Sequence, residues 1–339
     1  MRGRRFCVLS ATTVLAFAGC ANEPGREDSG IDTLVTATVT ASDTTSDGES
    51  STSSTEGATA TTDPEASESG DDPMFDLGII PDTPVQEMGC EGIDFLFAID
   101  NSGSMGAQQG QLLASFPGFI TAIQNSLENV SSYHVGVVTS DAYTENEPGC
   151  QTLGDLVTQT AGNGACGPFV DGGRFATDAD DLATVFPCMA EVGSGGSFIE
   201  QPVSASVAAV SDAKAAPGAC NEGFLRDDSI LVLVVLTDDP PSLPDFDDAH
   251  PETDTSGWYQ AIIDAKGGNP EAVVVIGFIP WTDISCVPLN IESPNLIGFV
   301  DSIGDQGIKA SICEPDFGPV FASTVETIQF TCDNFVPQG

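Results

Sequence analysis

The run "SILVLVVLT", Ser229 to Thr237, constrains the fold more than any other stretch of this chain. Side chains of a strand alternate between two faces, so a strand apolar at every position needs cover on both sides. The run therefore predicts a central strand with helices above and below it. Phe95–Ile99, "YHVGVVTS" (133–140) and "AVVVIGFI" (272–279) are further strand candidates. Between and after them come helical patterns: Gln108 to Leu127, "DADDLATVFPCMAEV" (178–192), "IEQPVSASVAAVSDA" (199–213), "WYQAIIDAK" (258–266), Asn295–Ile303 and Phe317–Phe330. Strand and helix alternating in this way predict an α/β fold, a doubly wound and mostly parallel sheet flanked by helices. Ligands of such folds sit at the carboxyl ends of the strands. Asp100 and Asp238 each follow a strand candidate at that point.

The first of these ends reads "DFLFAIDNSGSMG" (94–106): a carboxylate, Asp100, then hydroxyls at Ser102 and Ser104 with glycines between. A hard divalent cation takes oxygen donors, and a turn of this composition can bring three to one point. "VLVVLTDD" supplies Asp238 and Asp239 from a second strand end more than 130 residues later. Asp238 is read as part of the site and Asp239 as a solvated neighbour. Glu200 is read first as an acid at a helix N-terminus, where the dipole favours it, and otherwise as an acceptor behind the metal ligands. Asp141, closing "VVTSD", is a candidate for the rim, and His134, inside a strand pattern, is a packed side chain.

These motifs resemble the von Willebrand factor type A (vWA) domain over roughly residues 92–332, and the layout is similar to vWA lipoproteins of bacteria. In that resemblance "DNSGSM" corresponds to the metal-ion-dependent adhesion site, with Asp100, Ser102 and Ser104 as its Asp and serines. "LTDD" corresponds to the later strand end that contributes Asp238. The family adds a threonine from an intermediate loop; "VGSGGSFIEQP" (192–202) has none there, so Ser197 or Ser194 would supply the hydroxyl. The resemblance implies binding rather than turnover. The cofactor it implies is Mg2+, with Mn2+ or Ca2+ as substitutes, and one coordination position would be left for a carboxylate from a partner protein. The alternative is an envelope-structural lipoprotein whose site is vestigial. An enzyme is not expected: there is no G-x-S-x-G motif, and His134 and His250 are the only histidines.

The N-terminal part carries different information. Arg2, Arg4 and Arg5 precede "FCVLSATTVLAFAG" and Cys20, the pattern of an export signal, and "AFAGC" resembles a bacterial lipobox. Residues 1–19 are thus read as a lipoprotein signal peptide and Cys20 as the lipidated residue, ordinary signal cleavage being the other reading. Residues 20–89 are rich in Ser, Thr, Gly and acids, with little to bury, and are expected to form a disordered tether. Residues 90–339 are expected to form the folded domain. The predicted location is the cell envelope, lipid-anchored on the outer membrane, or else secreted.

Without Cys7 and Cys20, eight of the ten cysteines remain, an even number suited to disulfides in an oxidising compartment. Of the 105 pairings that eight cysteines allow, two are expected here. Cys150–Cys166 would bracket the Gly-rich stretch 144–177, and Cys188–Cys220 would brace the helix between them. No C-x-x-C spacing supports zinc. The domain carries 35 acidic residues against five basic ones, Arg174, Lys214, Arg226, Lys266 and Lys309. Such a field repels nucleic acid and anionic membranes, so contact with a membrane is expected through the anchor only. The acidic stretch 238–254 is either a calcium loop or a solvated one.

Overall fold

The computed structural model describes residues 89–126, 130–239 and 255–337. The signal, Cys20, nearly all of the expected tether and the acidic stretch 240–254 lie outside the described residues. Among the described residues the strands are β1 (Gly92–Ile99), β2 (Ser132–Thr139), β3 (Gln159–Thr160), β4 (Gly164–Ala165), β5 (Ala176–Thr177), β6 (Ser229–Leu236), β7 (Val273–Ile279) and β8 (Gly307–Ser311). The helices are α1 (Gly106–Ser126), α2 (Leu182–Ala190), α3 (Pro202–Ala209), α4 (Asp212–Ala215), α5 (Thr255–Asp264), α6 (Pro294–Ser302) and α7 (Gly318–Asn334).

Six strands form one sheet in the order β5-β2-β1-β6-β7-β8, parallel except for the short edge pairing of β5 with β2. β6 is the strand expected from "SILVLVVL": it lies inside the sheet and every residue of it is buried. β1 alternates between two cores. Phe95, Phe97 and Ile99 face Phe116, Phe119, Phe186 and Phe321 from α1, α2 and α7. Leu96 and Ala98 face the other way, with Val203, Trp258 and Phe299 from α3, α5 and α6. The doubly wound α/β expectation holds.

Two strands of the main sheet were not anticipated. β8 is short, and only its last two residues are buried, so its "GIKAS" lacks the apolar run that marks the other parallel strands. β5 emerges from the Gly-rich excursion and pairs through two residues alone, Val135 with Ala176 and His134 with Thr177.

Both expected disulfides are corrected. The bridges are Cys90–Cys332, Cys150–Cys220, Cys166–Cys188 and Cys286–Cys313. Cys166 follows the hairpin strand β4, and Thr160 of β3 donates a hydrogen bond to the Cys188 carbonyl on α2 (3.4 Å). The hairpin is therefore laid on α2, not closed on Cys150. The other end of the excursion is held by Lys214, which donates to Asp155, and by Asn221, which accepts from Leu156 N–H (3.0 Å), bringing Cys150 beside Cys220.

At the amino end of the sheet, Asp94 is fully buried in β1. Its carboxylate accepts from the Arg226 backbone N–H (2.8 Å), Arg226 Nε (2.7 Å) and the Ser229 hydroxyl. His134 belongs to this end: its Nδ1 lies 2.7 Å from the Phe224 carbonyl, and its ring lies against Phe175.

Candidate metal centre

Register places the site. Ile99 is paired with Thr139 on one side and Leu236 on the other, so β1, β2 and β6 end level. The next residue on each strand is polar: Asp100, Ser140 and Thr237. Between β1 and β6 the winding reverses, β1 leading outward to β2 and β6 leading outward to β7, which makes a crevice. Asp100 is fully buried there. Its carboxylate accepts from Ser102 N–H (2.8 Å), the Thr237 hydroxyl (2.7 Å) and the Ser140 hydroxyl (3.3 Å).

The motif hydroxyls follow. Ser102 Oγ and Ser104 Oγ are 3.2 Å apart, and Ser104 donates to Asp238 Oδ1 (3.1 Å). Asp100, Ser102, Ser104 and Asp238, expected together from sequence, thus form one connected set. A fifth residue joins them. Carboxylate oxygens of Asp100, Glu200 and Asp238, all three buried, lie within 4.8 Å of one another. Oδ2 of Asp238 and Oε2 of Glu200 are buried and have no hydrogen-bond partner among the described residues.

Glu200 corrects a sequence expectation. α3 begins at Pro202 with Gln201 as its N-cap, so Glu200 lies ahead of the helix. Its carboxylate lies with those of Asp100 and Asp238 at the strand ends. The loop is drawn in by four ties. Gln109 Nε2 donates to the carbonyls of Asp100 (2.9 Å) and Gly193 (2.8 Å). Gly196 N–H donates to the Asn101 carbonyl (2.8 Å), Ser197 N–H to Asp141 Oδ2 (2.8 Å), and Gln201 N–H to the Ser140 carbonyl (2.8 Å). At Gly196 a Cβ would stand 2.4 Å from Asn101 Cγ, so only glycine allows this approach.

Ser197 Oγ accepts from Ile199 N–H (3.0 Å), and Ser194 is exposed. Asp141 does stand at the rim, where it also accepts from Asn101 Nδ2 (3.1 Å). Asp239 is buried, not solvated: its N–H donates to Thr237 Oγ1 (3.0 Å) and its carbonyl accepts from Ser293.

The electrostatics follow from crowding acids in a dry crevice. Burial raises the Asp100 pKa, opposed by the bonds from Ser102 and Thr237. Glu200 is pushed up to about 10, first by burial and then by the charges of Asp100 and Asp239. Asp238 is raised to about 6, mainly by burial, with Ser104 pulling it down and Asp100 pushing it up. Like charges held this close favour either a proton or a cation between them. Carboxylate and hydroxyl oxygens are the donor set of Mg2+, Mn2+ or Ca2+, not of a thiophilic metal. The residues present fit such an ion.

Fold and site together define a class: an open α/β sheet with an acidic oxygen-donor site at its topological switch point. No family model and no curated protein matches the chain. Solved structures similar to it include a von Willebrand factor type A from Catenulispora acidiphila, at 14% identity and TM-score 0.35, the match covering 71% of this chain. Another is proximal thread matrix protein 1 from the mussel byssus, at 11% identity and TM-score 0.32, covering 70% of this chain. The matches span 43% and 48% of the lengths of those two chains.

Proposed function

We propose that this chain is an exported, lipid-anchored module that binds a protein partner through a divalent ion. The ion, Mg2+ in the first place, would be held by Asp100, Ser102, Ser104 and Asp238 with one donor from the loop 193–201. The observation that carries the reading is the meeting of buried Asp100, Glu200 and Asp238 oxygens at the switch point, two of the residues having an oxygen that bonds to nothing else described. A bound ion supplies a Lewis-acidic point that an oxygen of the partner completes. The chain's own residues orient the hydroxyls, and Gln109 and Asn101 hold the loop closed over them.

Phe198, 74% exposed, lies on that same loop and offers an aromatic anchor at the rim. Exposed aromatics of this kind contribute heavily to protein interfaces. Four disulfides point to an oxidising extracellular or envelope location. Among the described residues no helix is long and apolar enough to cross a membrane, and the anchor is assigned to Cys20 on its sequence. Affinity capture from envelope extract, run with Mg2+ and then with chelator, tests the function. A partner released by chelator supports it. Capture indifferent to the ion, with no calorimetric Mg2+ or Mn2+ binding, replaces it with the envelope-structural reading.

A further inference from the structure

We propose that Glu200 is the donor contributed by the loop before α3. The resulting three-carboxylate site would select a neutral partner oxygen, a hydroxyl or amide carbonyl, over an acidic side chain. The inference rests on the metal-dependent reading above and replaces the partner carboxylate that the vWA resemblance implies.

Three observations lead to it. Glu200 is 6% exposed, and its Oε2 is buried without a hydrogen-bond partner among the described residues, as is Oδ2 of Asp238. Ser197, the hydroxyl expected in this role, already accepts from Ile199 N–H, whereas the four backbone and side-chain ties of residues 193–201 bring Glu200 to Asp100. One carboxylate oxygen from each of Asp100, Glu200 and Asp238 lies within 4.8 Å of the other two. A neutral hydroxyl at the loop position would leave a doubly charged ion facing two carboxylates. Glu200 adds a third, so the ionised site exceeds the charge of the cation it holds. A further carboxylate entering the open position would meet net negative charge at short range in a poorly solvated crevice. It would also approach against the field of a strongly acidic domain. A neutral oxygen meets neither penalty.

The test titrates Mn2+ into the full chain, reading water-proton relaxation with and without millimolar acetate as a carboxylate probe. Wild type, Glu200→Gln and Glu200→Thr are compared, each at Mn2+ levels that saturate it. Wild type is expected to bind Mn2+, with relaxation unchanged by acetate. Both variants should bind at least about tenfold more weakly. Glu200→Thr should in addition become acetate-sensitive, as carboxylate displaces water from the ion. Glu200→Gln is isosteric, and both variants should melt no lower than wild type without metal, which separates lost ligation from lost fold. Variants that bind Mn2+ as tightly as wild type overturn the ligand assignment. Acetate acting equally on wild type and Glu200→Thr overturns the donor preference. A wild type that binds no Mn2+ removes the metal-dependent reading itself, an outcome distinct from the other two.

Discussion

The two ends of β1 show how differently one sheet treats a buried aspartate. Asp94 is met by Arg226, so its charge is compensated within the protein. Removing one partner of a buried pair costs roughly 3–5 kcal/mol because the other is left uncompensated. Asp94→Ala is expected to lose stability on that scale in chemical denaturation, with Mn2+ affinity unchanged. Asp238 meets no such cation among the described residues, and burial, then the charge of Asp100, raises its pKa. Asp238→Asn should therefore hold or raise metal-free stability while weakening Mn2+ by about tenfold or more, read by melting and calorimetry. The pH dependence has a definite sign. Glu200 has a folded pKa of about 10 against an ordinary 4.5, so the folded state binds the proton more tightly. Its contribution is fully present below pH 4.5 and is lost progressively as pH rises toward 10. The metal-free melting temperature should fall across that window, and Glu200→Gln should flatten the fall.

Among the elements, the loop 193–201 carries the most consequence for its size, since it decides whether Glu200 reaches the sheet. Its closest approach is at Gly196 against Asn101. Gly196→Ala forces one of the two to move, and a misplaced loop is expected to cost roughly tenfold in Mn2+ affinity. The strands beneath should be unaffected, as a melting temperature close to wild type would show. The Gly-rich excursion 144–177 is a second irregular element, held by two nested bridges, Cys150–Cys220 and Cys166–Cys188. Peptide mapping without reduction should recover those pairs. Recovery of Cys150–Cys166 would contradict the packing of the β3–β4 hairpin on α2.

For the whole molecule, the bridge Cys90–Cys332 joins residues 242 positions apart, the first beside β1 and the second within α7. A bridge enclosing so long a segment restricts the unfolded chain strongly, worth on the order of a few kcal/mol. The double replacement Cys90→Ser with Cys332→Ser should lower the melting temperature while leaving Mn2+ binding intact. At this scale too belongs the proposed anchor: Cys20→Ser is expected to move the protein from the membrane to the soluble fraction with its fold unchanged. Unaltered membrane partition in that variant would argue against lipidation.

Asp100, Ser102, Ser104 and Asp238 were legible because each follows an apolar strand, and strand ends of a doubly wound sheet converge. The central position of β6 was legible for a related reason: a run apolar on both faces has only one stable place. Ser140 and Thr237 stood at the same kind of strand end and could have been found by that rule. β8 and β5 left too little apolar pattern to be found. Glu200 carried locally the pattern of a helix-start acid, because its place beside Asp100 depends on contacts from Gln109, Asn101, Asp141 and Ser140, which lie on other elements. The disulfides were hidden for the same reason. Eight cysteines state that bridges form, but pairing is set by which segments pack together. Alternation of apolar residues is a local property that a chain displays along its length. The meeting of Glu200 with Asp100 and Asp238 and the partner of each thiol are distance relations, and only the folded sheet brings them into being.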